Sequence, residues 1–276
     1  MAEGILREEG LPATTPRYQY QGVEQCLRCF ELELDHYNRK GQPGDYSYII
    51  FDNVDERSFQ RCFEDESPER HLMHSLVTYI LASHTAILKM PTAMHSVAHG
   101  AFGDIFATWH RGQQSRLLAM RNTTVEGPTR KKCPDSSWKT PVHVFGRDAK
   151  WPTILVEAGW SDSSRKLQQD VLLWLRESEQ QVKVVLTIKV TPEGKITVER
   201  WKLNERAGEM YVEPNQAMRI TRNSDASSNQ HYISGSMHIQ FEDCFLRPKR
   251  GSETDFVLSD ADMKEIAEAV WHELPE

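Results

Sequence analysis

The chain has 276 residues, with 33 Lys and Arg against 40 Asp and Glu, giving a formal net charge of −7. Hydrophobic residues make up 39% and charged residues 26%, the balance of a soluble globular chain and not of a disordered or collagen-like one. The acid excess excludes nucleic-acid binding by bulk charge, so a polyanion site would have to be a local basic groove.

The opening MAEGILREEGLPATTP carries acids and no apolar stretch, which fits neither a secretory signal nor a transit peptide. Residues 1–22 read as a frayed tail. Residues 23–70 mix aromatics with charge, and KGQPGD at 40–45 reads as a loop. Cys26 and Cys29 form a lone CxxC without a second pair, so a zinc or redox role is not expected of them. An odd total of five cysteines argues for a reducing compartment.

From Arg70 to Ser83 the pattern permits a helix, with Leu72, Leu76, Tyr79 and Ile80 on one side. Residues 85–90 read as a short strand ended by Pro91. The most apolar long window, Leu72 to Met90, contains His74, Ser75, Ser83, His84 and Lys89 and makes a poor membrane span. No membrane partner is expected, and the localisation reads as intracellular, in cytoplasm or nucleus. A helix is expected from Thr92 to about Trp109. It carries His95 and His99 at i, i+4, a spacing able to bind zinc. The sequence offers no Glu between them and no obvious third ligand, so two partly buried polar histidines are the plainer reading.

Residues 116–121 suit a strand. Residues 153–160, TILVEAGW, form a β-rich run, and Ser161, Asp162 and Ser163 are all good N-caps. Leu167, Val171, Trp174 and Leu175 then predict an amphipathic helix over 163–178. VKVVLTIKV at 182–190 and ITVERWKL at 196–203 predict a hairpin about the turn at 192–194. Two or three further strands are expected over 209–250, with a polar loop NSDASSN at 223–229. Ser259 caps a last helix over 260–272. The order predicts an α/β (α+β) sandwich with a mixed sheet flanked by helices. Residues 1–84 would be an N-terminal extension that caps or dimerises, and residues 85–276 the core domain.

One residue type is out of place. Glu157 lies in an apolar strand, on the face opposite Ile154, Val156 and Ala158. A buried unpaired carboxylate costs several kcal/mol or loses its charge, so Glu157 should be at a sheet end, paired with a base, or holding a metal. Asp135 follows Pro134 upstream. Two carboxylates from adjacent strands make a platform for a hard cation, which keeps waters and takes substrate phosphate. Such an ion can activate water and neutralise charge on a phosphodiester.

PD, then E in a hydrophobic strand, then a helix and a strand, resembles the PD-(D/E)XK nuclease superfamily with its restriction-endonuclease-like fold. The runs PDSSW, WPTILVEAGWSDSSRKLQQDVLLWL, VKVVLTIKV and ITVERWKL resemble a fungal group similar to the bacterial "putative restriction endonuclease" family. KMPTAMHSVAH, FEDCFLRP and DADMKEIAEAVW extend the likeness over about residues 85–272. It implies a metal-dependent nuclease with Asp135 and Glu157 as ligands of Mg²⁺ or Mn²⁺ and nucleic acid, DNA in the first instance, as partner. The resemblance also implies a homodimer, since many nucleases of this architecture are dimeric.

Two positions depart from the pattern. Gly159 stands where the superfamily's Lys is expected, and Ser96 follows His95 where many members carry a helix-borne Glu. Lys166, one turn inside the next helix with Asp170 a turn further on, is the best substitute for the Lys; Lys132 is a second candidate. Arg130, Lys131 and Lys132 could form a basic rim for phosphates, or a solvated charged loop. The rival class is a degenerate nuclease fold that binds nucleic acid or a protein without cutting. A small-molecule reaction in the same pocket is a third.

Overall fold

The computed structural model describes residues 2–40, 47–64, 75–90, 93–120, 123–160, 164–222 and 231–274. They form two compact units. Unit 1 comprises Met1–Pro91 and Asn122–Cys133, and unit 2 comprises Thr92–Arg121 and Pro134–Glu276. In chain order, unit 1 holds α1 (Ala2–Glu9), β1 (Arg17–Gln19), α2 (Val23–Lys40), β2 (Tyr48–Asp52), α3 (Glu56–Phe59), β3 (Leu76–Ile80) and β4 (Thr85–Lys89). The chain then enters unit 2 for α4 (Ala93–Arg111) and β5 (Leu118–Ala119). It returns for β6 (Val125–Glu126) and β7 (Arg130–Lys132), which complete a six-stranded sheet of order β1-β2-β4-β3-β7-β6.

Three sequence expectations change here. The tail expected over residues 1–22 is folded: β1 pairs in parallel with β2, and Arg17 Nε sits 2.5 Å from Asp52. Of the helix expected over 70–83, residues 70–74 lie outside the described residues and Leu76–Ile80 form β3 instead. Its Val77-Thr78-Tyr79-Ile80 run favours a pleated surface, and the spacing of Leu76, Tyr79 and Ile80 alone cannot separate the two periods. The boundary expected at residue 84 falls between β3 and β4, which pair antiparallel within unit 1. Residues 41–45 of the expected loop lie outside the described residues.

Unit 2 continues with β8 (Ser136–Lys139), β9 (Ile154–Trp160), α5 (Ser164–Glu177), β10 (Val184–Val190), β11 (Ile196–Arg206) and β12 (Glu209–Arg222). It closes with β13 (His231–Gly235), β14 (Met237–Ile239), α6 (Phe241–Phe245), β15 (Phe256–Leu258) and α7 (Asp260–His272). Its seven-stranded sheet has the order β13-β12-β11-β10-β9-β8-β5. The sheet is mixed: β9 and β10 run parallel, while β10–β11 and β8–β9 are antiparallel. The parallel pair exists because α5 carries the chain back between its strands. Fold class and hairpin are as the sequence predicts, whereas the polar run at 223–229 lies outside the described residues.

Each face of this sheet has its own cover. Ile154, Val156 and Ala158 of β9 join one core with Phe102 and Phe106 of α4 and Ile266 and Val270 of α7. Each such side chain contributes about 1.5–3 kcal/mol when fully buried. Ser259 starts α7 with a capping box, its hydroxyl accepting from Asp262 N while the Asp262 side chain accepts from Ser259 N. The Leu155/Glu157 face is the one that Trp174 of α5 meets. Residues 161–163, the expected caps of α5, lie outside the described residues. Among those described, no helix is long and apolar enough to cross a membrane.

Candidate active site

β8 and β9 position the two acids. Their antiparallel ladder pairs Ser136 with Val156, Ser137 with Leu155 and Trp138 with Ile154. Asp135 immediately precedes Ser136, and Glu157 immediately follows its partner Val156. The Asp135 carboxylate does not extend over the Glu157 face. Its Oδ2 accepts from the backbone N–H of Ala158 at 2.7 Å, and its Oδ1 lies 2.8 Å from His95 Nε2. Glu157 is 3% exposed and turns the other way, its Oε1 accepting from Trp174 Nε1 at 2.5 Å. The indole N–H supplies a buried donor to a carboxyl oxygen in the strand interior, which lowers the cost of holding it there.

Lys166, Asp170 and Trp174 recur every four residues on α5 and therefore share a stripe. All three are buried, and Lys166 Nζ bonds Asp170 Oδ1 at 2.5 Å. Lys166 is thus no solvated surface lysine. Its stripe is the one whose Trp174 holds Glu157.

The helix α4 delivers His95 and His99, whose ring centroids are 5.0 Å apart. His99 Nδ1 is 3.0 Å from Ser136 Oγ, the residue after Asp135. One ligand atom each from His95, His99 and Asp135 lie within 4.8 Å of one another, the geometry of a metal-holding group. The third ligand for the histidine pair was illegible in sequence because it comes from another element. Two imidazoles beside Asp135 are poor company for Mg²⁺, which takes oxygen donors, and suit an ion that accepts nitrogen.

The expected basic rim is a correction. Arg130, Lys131 and Lys132 form β7 of unit 1, and all three are buried. Arg130 pairs with Glu9 and, at 2.7 Å, with Glu8, while Lys131 Nζ bonds Glu64 at 2.9 Å. Arg130 and Lys131 are neutralised inside unit 1 and form no open phosphate rim. Basic residues that sequence reasoning passed over line a cavity of about 340 Å³ in unit 2, where Lys189, Lys195 and Arg219 face Glu199. Burial raises the Glu199 carboxyl above its usual range, against the pull of the three cations. The parallel β9–β10 register sets Lys189 beside Gly159 and Thr187 beside Glu157. The signal in sequence was a lysine interrupting the apolar run of β10.

Cys26 and Cys29 are free thiols on α2. Burial pushes Cys26 up to about 12, which keeps it protonated and unreactive.

No family model matches the chain, and no curated protein matches it. Among solved structures, one similar chain is described as a "putative nuclease belonging to DUF820" from Anabaena variabilis ATCC 29413. The two are 19% identical with a TM-score of 0.32, and the match covers 49% of this chain and 75% of that one. A likeness at that level carries no weight for fold or function.

Proposed function

We propose that unit 2 hydrolyses phosphodiester bonds of nucleic acid, DNA in the first instance, with a PD-(D/E)XK-type site of Asp135, Glu157 and Lys166. The observation that supports the reading is the β8–β9 pairing, in which Asp135 immediately precedes Ser136 and Glu157 immediately follows its partner Val156. A divalent cation held by Asp135, with Mn²⁺ suiting the nearby imidazoles better than Mg²⁺, would activate water and offset charge on the phosphorane once the Glu157 carboxyl swings from Trp174 to join it. Lys166 would supply the ammonium missing at Gly159. Lys189, Lys195 and Arg219 would draw the phosphate backbone to the Glu157 side of the sheet. A homodimer would present two such sites to the two strands of a duplex.

The test is cleavage of single- and double-stranded DNA and RNA with Mn²⁺ or Mg²⁺. Glu157→Gln should lower the rate by at least about a thousand-fold while the protein stays folded, since unassisted phosphodiester hydrolysis is extremely slow. Undiminished cleavage by a folded Glu157→Gln protein discards the site.

A second reading has its own observation. Lys166 is already bound to Asp170 inside the protein, and Gly159 leaves the motif position without an ammonium. A degenerate nuclease fold that binds nucleic acid without cutting would look like this. Binding that persists with no cleavage by the wild-type chain under any divalent ion selects it.

A further inference from the structure

We infer that His95, His99 and Asp135 form a binding site for a first-row transition cation of the Zn²⁺ or Mn²⁺ type, selective against Mg²⁺. The inference rests on the proposed hydrolase only in sharing Asp135; the site stands without it. Three features carry it. The first is convergence: ligand atoms from one helix and from the residue preceding β8 lie within 4.8 Å of one another, and a small side-chain rotation would bring all three to the bond lengths of about 2.0–2.2 Å that a single ion requires.

The second is orientation. Ser136 Oγ is 3.0 Å from His99 Nδ1 and orients that ring. Ala158 N–H holds Asp135 Oδ2 at 2.7 Å, and Asp135 Oδ1 lies 2.8 Å from His95 Nε2, the side on which an ion would replace the proton between them. Outer hydrogen bonds of this kind fix metal-binding imidazoles and carboxylates. The third is environment. The His95 and Asp135 side chains are only 10% and 14% exposed, so the ligands are desolvated. Two nitrogens and one oxygen suit Mn²⁺, Fe²⁺, Co²⁺ and Zn²⁺, and three protein ligands leave positions for water or substrate, as in catalytic sites.

The test uses the full chain, stripped with a chelator. Zn²⁺ is titrated by calorimetry and Co²⁺ by its visible absorption, each with excess Mg²⁺ present. One equivalent should bind, and Mg²⁺ should not displace it. His99→Ala and the isosteric Asp135→Asn should each weaken Zn²⁺ by at least about 100-fold. Circular dichroism establishes that each variant is folded; should His99→Ala unfold, Asp135→Asn decides. Displacement by Mg²⁺, or binding indifferent to His99→Ala and Asp135→Asn, overturns the site. Cleavage is read separately. Zn²⁺ binding without cleavage removes the hydrolase and keeps the metal site, whereas Mg²⁺-driven cleavage by His99→Ala does the reverse.

Discussion

A lysine ammonium withdrawn from water needs a carboxylate close by, and Lys166 has one in Asp170. Breaking a buried pair from one side is costlier than removing it whole, because the survivor is left charged and unsolvated. Lys166→Met should therefore destabilise unit 2 by about 3–5 kcal/mol in urea unfolding, and Lys166→Met with Asp170→Leu should recover most of that loss. Cleavage should stay absent in the double variant if the ammonium takes part in the reaction; restored cleavage would make the pair purely structural. Trp174→Phe removes the N–H that Glu157 accepts, and should cost about 1.5–3 kcal/mol by the same measurement. At this scale the sequence was informative about oddity and poor about partnership. A carboxylate in an apolar strand was legible at Glu157, but its indole partner sits 17 positions on. Lys166 with Asp170 was legible because helix spacing ties them. Asp135 with His95 was not, since only the folded chain joins β8 to α4.

Period and capping made the regular elements of unit 2 readable. VVLTIKV can be little else than a buried strand, and Ser259 with Asp262 marks the start of α7. Short strands such as β1 and β7 escaped notice because three residues hold no period. Within the sheet, one glycine is required by geometry. Gly235 pairs with Met218 at a φ of +85°, and a Cβ built there would lie 2.0 Å from the Ala217 carbonyl oxygen. Gly235→Ala should lower stability by about 1–3 kcal/mol, read as a lower midpoint in thermal unfolding. An unchanged midpoint would mean the β12–β13 edge can shift to admit the methyl.

Across the whole molecule, charge pairing sets the response to acid. Arg247 donates to both oxygens of Glu253 at 2.6 Å and holds that carboxyl at about 2, well below its ordinary 4.5. A carboxyl depressed in the folded state stabilises it above the unfolded value and loses that contribution as the pH falls from about 4.5 toward 2. Urea midpoints of the wild type should fall through that window, and Glu253→Gln should flatten the part due to this pair. An identical acid profile in the variant would remove Glu253 from the account. His110 adds a milder trend of the same sign: burial lowers its affinity for a proton, so protonation below its ordinary 6.5 works against the fold.

The order in which the chain visits its two units has a consequence for biosynthesis. Unit 1 is interrupted after Pro91 and resumes only at Asn122, so its sheet stays short of β6 and β7 until Cys133 has left the ribosome. By then α4 has already emerged, ahead of the strands it packs against. A nascent polypeptide halted near residue 120 would expose apolar surface from both halves at once, and its dependence on chaperones should drop in two late steps rather than one early one.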